Sequence, residues 1–81
     1  MFYVYIVECC DKSLYCGYTS NLVARIEEHN TGKNGAKYTK NRRPVKLIYS
    51  EKLETKSQAM KREIQIKKLN RLQKLNLISL Q

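Results

Sequence analysis

The chain has 81 residues, of which 42% are hydrophobic and 28% charged, and its formal net charge at pH 7 is +9. A chain of this length buries only ~60% of its unfolded surface, so we expect one domain over residues 1–81 with a small core. The hydrophobic content excludes a disordered chain, and no apolar run approaches the ~20 residues of a membrane-spanning helix. The apolar N-terminus lacks the basic segment and cleavage site of a signal peptide, so we expect a cytoplasmic protein.

Two short segments near the N-terminus predict a β-hairpin. Residues 3–9 and 14–19 are rich in β-branched and aromatic side chains, and a polar turn lies between them. An odd loop of three residues places Tyr5 and Tyr15 on one face of the sheet, whereas an even-numbered loop places them on opposite faces. We predict the three-residue loop. The alternative for both tyrosines is an ordinary role in strand packing.

The three cysteines all lie on or beside these strands. Cys9 and Cys10 are adjacent, so their side chains point to opposite faces of a strand and make a poor disulfide pair. A zinc site needs about four ligands, and the single histidine falls elsewhere in the chain. We therefore expect reduced, partly buried thiols.

A first helix is predicted from Ser20 to Asn30. Ser20 is the expected N-cap, and a short apolar stripe follows it, formed by Leu22, Val23 and Ile26. Arg25 and His29 are four residues apart, so they project from one side of this helix. A histidine at the end of a helix is ordinarily a surface residue, but its relation to Arg25 favours a site residue.

The second half of the chain predicts one more strand and two more helices. Val45 to Leu53 has the alternation of a strand. Thr55-x-x-Gln58 and Asn70-x-x-Gln73 are capping-box patterns, and each precedes a segment with apolar residues at helical spacing. The element order β-β-α-β-α-α predicts an α+β domain with a three-stranded antiparallel sheet flanked by helices.

Basic residues form two zones that indicate a polyanionic partner. Residues 33–46 contain six lysines and arginines and no acid, and residues 55–81 contain seven against the single acid Glu63. Such zones suit the phosphate backbone of nucleic acid; the alternative is a solvated basic surface, and an acidic membrane is less favoured. The predicted nucleic-acid-binding residues are Lys33, Lys37, Tyr38, Arg42 and Arg43.

Several of these residues together carry a family resemblance. The tripeptides Tyr3-Val4-Tyr5 and Tyr15-Cys16-Gly17 are separated by nine residues. They are followed in order by Arg25, His29, Lys37-Tyr38-Thr39, Arg42-Arg43-Pro44 and Glu63. This ordered set resembles the GIY-YIG nuclease superfamily, in particular its small single-domain bacterial members and the N-terminal nuclease domain of bacterial excinuclease. Tyr3 stands where the signature has its first glycine, and Cys16 where it has its second isoleucine.

The resemblance implies a fold and a set of site residues. Members of the superfamily have a three-stranded antiparallel sheet with flanking helices and cut DNA phosphodiesters with Mg²⁺ or Mn²⁺. By this resemblance Glu63 is the metal ligand and Arg25 the clamp on the scissile phosphate. Tyr5 and Tyr15 activate the attacking water, and His29 assists proton movement. Asn70 and Asn76 are the candidates for an asparagine that larger members carry beyond the glutamate.

Residue chemistry is consistent with these roles. A hard cation prefers oxygen ligands and keeps several waters, so one carboxylate plus substrate phosphate can suffice. The planar guanidinium of arginine matches phosphate geometry. A tyrosine with its ordinary pKa of ~10 needs a nearby cation to act as a base near neutral pH. For Glu63 alone, the simpler interpretation is an i, i+4 ion pair with Lys67.

The leading functional hypothesis is a small metal-dependent DNA endonuclease or nickase that acts in DNA repair or processing, on branched, damaged or single-stranded DNA. The alternative is a noncatalytic nucleic-acid-binding module that keeps the fold, with RNA a less favoured ligand than DNA. A third hypothesis is the nicking component of a larger complex, in which a protein partner supplies specificity.

Overall fold

The computed structural model of the protein describes residues 1–32 and 39–80. It contains three strands and three helices in the predicted order, so the α+β fold class is confirmed. The strands are β1 (Phe2–Glu8), β2 (Leu14–Thr19) and β3 (Lys46–Leu53), and the helices are α1 (Leu22–Thr31), α2 (Lys56–Lys67) and α3 (Arg71–Ser79).

The sheet is antiparallel with strand order β2-β1-β3. Tyr5 is opposite Gly17, and Val7 is opposite Tyr15. The amide of Cys9 donates to the carbonyl of Ser13 at 2.8 Å, which leaves a three-residue loop whose last residue, Lys12, has φ of 71°. This left-handed residue is typical of three-residue hairpin loops. The odd loop is therefore confirmed, and Tyr5 and Tyr15 lie on one face.

The sheet separates two small cores, because its central strand is buried on both sides. One side, the α2 face, packs Val4, Ile6, Cys16 and Tyr49 against Ala59 and Ile66 of α2. The opposite side, the α1 face, packs Tyr5, Val7, Cys9 and Val45 with Leu22 and Ile26 of α1. The alternation of side chains along β1 and β2 thus places Tyr5 and Tyr15 on the face that α1 covers.

The predicted cap of α1 was wrong by one residue. Asn21, not Ser20, is the N-cap, and its side-chain oxygen accepts a hydrogen bond from the amide of Ala24 at 3.1 Å. Serine and asparagine are both good caps. The hydroxyl of Thr19 accepts a hydrogen bond from the backbone amide of Asn21 at 3.1 Å, and this bond holds Asn21 at the cap position. Both predicted capping boxes, at the starts of α2 and α3, are present.

All three cysteines are free thiols, and Cys9 and Cys16 are buried while Cys10 is exposed. Burial raises the pKa of Cys16 to about 11. Within residues 1–32 and 39–80, no helix is long and apolar enough to cross a membrane.

Candidate active site

A buried hydrogen-bonded chain joins α1 to β1. The Oη of Tyr5 lies 2.9 Å from Nε2 of His29, and Nε of Arg25 donates to the same Oη at 3.4 Å. Arg25 and His29 reach one tyrosine because four residues make about one helical turn. Tyr5 and His29 are each 1% exposed, so His29 is a buried residue and not a surface histidine. The structure thus brings together three of the predicted site residues.

Tyr15 completes the cluster from β2. Its ring is edge-on to His29, with ring centroids 5.5 Å apart, and the ring of Tyr5 is 5.9 Å from the same imidazole. Both tyrosines therefore flank the imidazole, as their shared sheet face predicts. Tyr15 is only half-buried, so its side chain borders solvent where Tyr5 does not.

Gly17 is required because the ring of Tyr5 covers it. A Cβ at position 17 would lie 2.6 Å from Oη and 2.8 Å from Cζ of Tyr5. Real Cβ atoms essentially never make contacts this short. The last residue of the second tripeptide is therefore a glycine because a tyrosine of the cluster lies directly above it.

Burial keeps both Tyr5 and His29 neutral. It raises the pKa of Tyr5 to about 12, although the neighbouring guanidinium of Arg25 acts in the opposite direction. The pKa of His29 is lowered, first by burial and then by the positive charge of Arg25. Near neutral pH, Tyr5 is therefore a hydrogen-bond donor. We expected a nearby cation to lower the pKa of a tyrosine that acts as a base. For Tyr5 the effect of Arg25 is smaller than that of burial, so its pKa stays above the ordinary value.

The buried histidine makes stability depend on pH in a definite direction. His29 resists protonation in the folded state, whereas the unfolded chain takes up a proton near pH 6.5, so the free energy of unfolding should fall as pH drops below about 6.5. The carboxyls of Asp11 and Glu51, whose pKa values are lowered, add their own losses only nearer pH 4. Urea unfolding from about pH 7.5 to about pH 5 checks this. His29→Gln should remove the slope, since the chain has one histidine, and a parent curve that is flat over this range would contradict the prediction.

Glu63 approaches the cluster around the edge of the sheet. It lies on α2, the helix of the opposite face from Tyr5, and its side chain is 17% exposed. Nζ of Lys67 is 3.6 Å from its carboxylate and 6.0 Å from the ring centroid of Tyr15. Lys67 therefore links Glu63 to Tyr15 across the edge strand β2. The expected i, i+4 ion pair is formed, and it is through Lys67 that Glu63 is connected to the cluster.

The predicted nucleic-acid-binding residues fall into two groups. Lys33, Lys37 and Tyr38 lie outside the described residues. Arg42 donates from Nε to the carboxylate of Asp11 at 3.0 Å, and its carbonyl accepts from the amide of Cys10 at 3.0 Å. Nε of Arg43 donates to the carbonyl of Lys40 at 2.9 Å. Both arginines therefore also hold the segment before β3 in place.

One residue of the site received no role from the sequence. Nδ1 of His29 lies 2.8 Å from Oγ1 of Thr39, which is itself 1% exposed. Thr39 belongs to the Lys37-Tyr38-Thr39 segment of the resemblance, but no local pattern there indicates a buried partner.

Of the two candidate asparagines, Asn70 is the N-cap of α3 and accepts from the amide of Gln73 at 2.9 Å.

The side chains of the site suit a hard cation, such as Mg²⁺ or Mn²⁺, better than a metal that is held entirely by protein ligands. Among residues 1–32 and 39–80, no group of three or more histidines, cysteines, aspartates and glutamates could hold a metal ion. A single carboxylate such as Glu63 fits Mg²⁺ or Mn²⁺, which keep water ligands and take further oxygens from substrate phosphate. It does not fit a four-ligand zinc site.

Comparisons with known proteins point to one family. The family model of the GIY-YIG catalytic domain matches residues 1–76. A UPF0213 protein of Syntrophus aciditrophicus is 59% identical over 76 residues, which cover 94% of this chain and 87% of the relative. A UPF0213 protein of Staphylococcus haemolyticus is 62% identical over 76 residues, with 94% and 92% covered.

Two solved structures share the fold over nearly the whole chain. The solution structure of a UPF0213 protein from Bacillus halodurans has a TM-score of 0.64 at 44% identity, covering 100% of this chain and 86% of that one. The solution structure of a protein from E. faecalis has a TM-score of 0.62 at 42% identity, with 96% and 83% covered. With the tyrosine, arginine and histidine cluster in place, these matches show that the chain belongs to the GIY-YIG family of the nuclease superfamily.

Proposed function

We propose that this protein is a small divalent-metal-dependent DNA endonuclease or nickase. The observation that carries the proposal is the hydrogen-bonded cluster of partly exposed Arg25 with buried Tyr5 and His29, flanked by Tyr15. A catalytic site needs side chains that can exchange a proton beside a partly exposed guanidinium, whereas binding nucleic acid alone needs only the basic surface. The pair of Tyr5 and neutral His29 is suited to proton transfer.

Arg25 is the proposed phosphate clamp. Its side chain is 23% exposed, with Nε directed to Tyr5 and Nη1 paired with Glu28 at 3.3 Å. A partly exposed guanidinium whose orientation is set by protein partners is pre-organised to receive a phosphate oxygen. Its fixed positive charge then stabilises the charge that develops on the phosphate during cleavage.

Tyr5 and His29 form the proposed path for the proton of the attacking water. The high pKa of Tyr5, about 12, makes its free phenolate a poor starting state near neutral pH. We infer a relay in which DNA binding brings the attacking water to Oη of Tyr5, and Tyr5 accepts a proton of that water while its own proton passes to Nε2 of His29. The bound phosphate favours this step because it offsets the charge of Arg25, which together with burial lowers the pKa of His29. Tyr15 orients the water from β2, the resulting hydroxide attacks phosphorus, and the bond to the leaving oxygen breaks. The leaving oxygen takes a proton from solvent, and His29 afterwards returns its extra proton to solvent through Tyr5.

Glu63 is the proposed ligand of a Mg²⁺ or Mn²⁺ ion. When bound, such an ion neutralises phosphate charge and stabilises the leaving oxygen. To serve as ligand, Glu63 has to exchange its ion pair with Lys67 for the cation. Lys67 then lies beside Tyr15, where its charge can face the substrate phosphates.

The proposed partner is DNA, in branched, damaged or single-stranded form, in a repair or processing role in the cytoplasm. The net charge of +9 and the arginines around the site support a phosphate-rich ligand. We also propose a further protein partner that supplies specificity.

A noncatalytic nucleic-acid-binding module is the second candidate. The observation that favours it is that Glu63 is already paired with Lys67. One experiment separates the two functions. Purified protein is incubated with branched, nicked, duplex and single-stranded DNA in Mn²⁺ or Mg²⁺, with chelator as the control. Metal-dependent product supports the nuclease, whereas binding without product in either metal supports the module.

Binding to DNA is expected to depend steeply on salt. With about five phosphate contacts, affinity should drop about 10²- to 10³-fold between 50 and 200 mM salt. Arg42→Gln should reduce the slope of log affinity against log salt by about one unit. Lys52→Gln, an exposed residue of β3 outside both basic zones, is the matched control and should leave the slope unchanged. Fluorescence anisotropy with labelled duplex measures both, and an affinity that is flat in salt would contradict the nucleic-acid proposal.

A further inference from the structure

The single histidine of the chain is held through both of its ring nitrogens. Nε2 of His29 is 2.9 Å from Oη of Tyr5, and Nδ1 is 2.8 Å from Oγ1 of Thr39. All three side chains are 1% exposed, so these bonds are made inside the protein. A neutral imidazole has one donor and one acceptor nitrogen, and its neighbours decide which is which.

The direction of each of these hydrogen bonds follows from the third partner of the cluster, the guanidinium of Arg25. Nε of Arg25 can only donate, so Oη of Tyr5 accepts there. Neutral Tyr5 has one proton, and of the two partners that its Oη has in the described residues, only Nε2 of His29 can accept it. Nε2 of His29 is then the acceptor, so Nδ1 carries the hydrogen and donates to Oγ1 of Thr39.

We propose that Thr39 is a positioning residue whose hydroxyl accepts the Nδ1 hydrogen of His29 and so stabilises the Nδ1–H tautomer that the bond from Tyr5 requires. In this tautomer Nε2 has a free lone pair for the proton of Tyr5. In the other tautomer Nε2 would itself donate to Tyr5 and could not take that proton. The consequence for cleavage rests on the proposed nuclease function, whereas the tautomer is a property of the protein alone.

The position of Thr39 is fixed without its side chain. The amide of Arg42 donates to the carbonyl of Thr39 at 3.0 Å, and the amide of Cys10 donates to the carbonyl of Arg42 at 3.0 Å. The ion pair of Arg42 with Asp11 adds a second tie to the β1–β2 turn. A change confined to the Thr39 hydroxyl should therefore leave the backbone in place.

A purely structural role is the alternative, because buried polar groups are normally hydrogen-bonded. On that interpretation the loss of the hydroxyl lowers stability but leaves the turnover of the folded enzyme unchanged. Two variants separate the interpretations. Thr39→Val keeps the shape of the side chain and removes the acceptor, and Thr39→Ser keeps the acceptor.

The first test is the nitrogen NMR spectrum of the substrate-free protein above about pH 7. The two ring nitrogens of a neutral histidine differ strongly in chemical shift according to which carries hydrogen, and one histidine gives one pair of signals. We expect the Nδ1–H tautomer in the parent and in Thr39→Ser, and a shift towards Nε2–H in Thr39→Val. A parent in the Nε2–H form, or a Thr39→Val spectrum like the parent's, would overturn the proposal. If Thr39→Val does not fold, Thr39→Ala, which also lacks the acceptor, takes its place, and a parent in the Nε2–H form would overturn the proposal by itself.

The second test is the cleavage rate. Thr39→Val should lower kcat about 10- to 100-fold with little change in KM, and Thr39→Ser should restore it. Equal kcat for Thr39→Val and the parent would reduce Thr39 to a structural residue. If the parent cuts no DNA in any metal while its spectrum shows Nδ1–H, the nuclease proposal fails and the tautomer assignment stands.

Discussion

Glu63→Gln should lose metal-dependent cleavage by about 10²- to 10³-fold or more while the protein stays folded. The amide keeps the shape of the side chain but lacks the negative charge that would attract a divalent cation into a strongly basic protein. The ion pair that is lost, with Lys67, is partly exposed, and its contribution to stability is about 0–1 kcal/mol. DNA affinity should persist or rise, because the net positive charge increases by one unit.

The measurement is single-turnover cleavage at saturating protein over a range of Mn²⁺ concentrations. Glu54→Gln is the matched control: it removes an equal charge from an exposed residue just before α2 and should cut like the parent. Circular dichroism and a DNA-binding curve establish that Glu63→Gln is folded and still binds. Cleavage by Glu63→Gln at the parental rate would show that another group holds the metal.

Gly17→Ala should abolish cleavage and destabilise the protein by about 1–3 kcal/mol, the usual range for overpacking. The backbone at Gly17 is not left-handed, so the cost comes from the contact of the new methyl group with the ring of Tyr5. To relieve that contact, Tyr5 has to move away from Nε2 of His29, which breaks the 2.9 Å bond on which the proposed proton relay depends.

A double-mutant cycle tests whether Tyr5 is the cause. In a Tyr5→Leu background the side chain no longer reaches position 17 with ring atoms, so Gly17→Ala should cost far less stability than in the parent. Urea unfolding of the four proteins gives the coupling free energy directly. An equal loss in both backgrounds would mean that the glycine is required for a reason other than its contact with Tyr5.

Local patterns in the sequence were sufficient to predict the strands and helices, and to predict which face of its element carries Tyr5, Tyr15, Arg25 and His29. The parity of the β1–β2 loop places Tyr5 and Tyr15 on one face, because side chains alternate along a strand. The spacing of Arg25 and His29 places them on one side of α1 for the same kind of reason. The capping boxes at Thr55 and Asn70 determined the starts of α2 and α3. The prediction of Ser20 as the cap of α1 was wrong because Ser20 and Asn21 are adjacent and both are good cap residues.

Only the tertiary structure decided how these parts meet. Burial makes His29 neutral and Tyr5 a donor, and burial depends on the packing of α1 against the sheet. The contact of His29 with Thr39, ten residues away, depends on a turn held by the β1–β2 loop, which no short sequence pattern encodes. Glu63 lies on the helix of the other face and is linked to Tyr15 through Lys67 around the sheet edge. Contacts between distant segments follow from packing, so local periodicity could place each residue on its element but could not determine its partner.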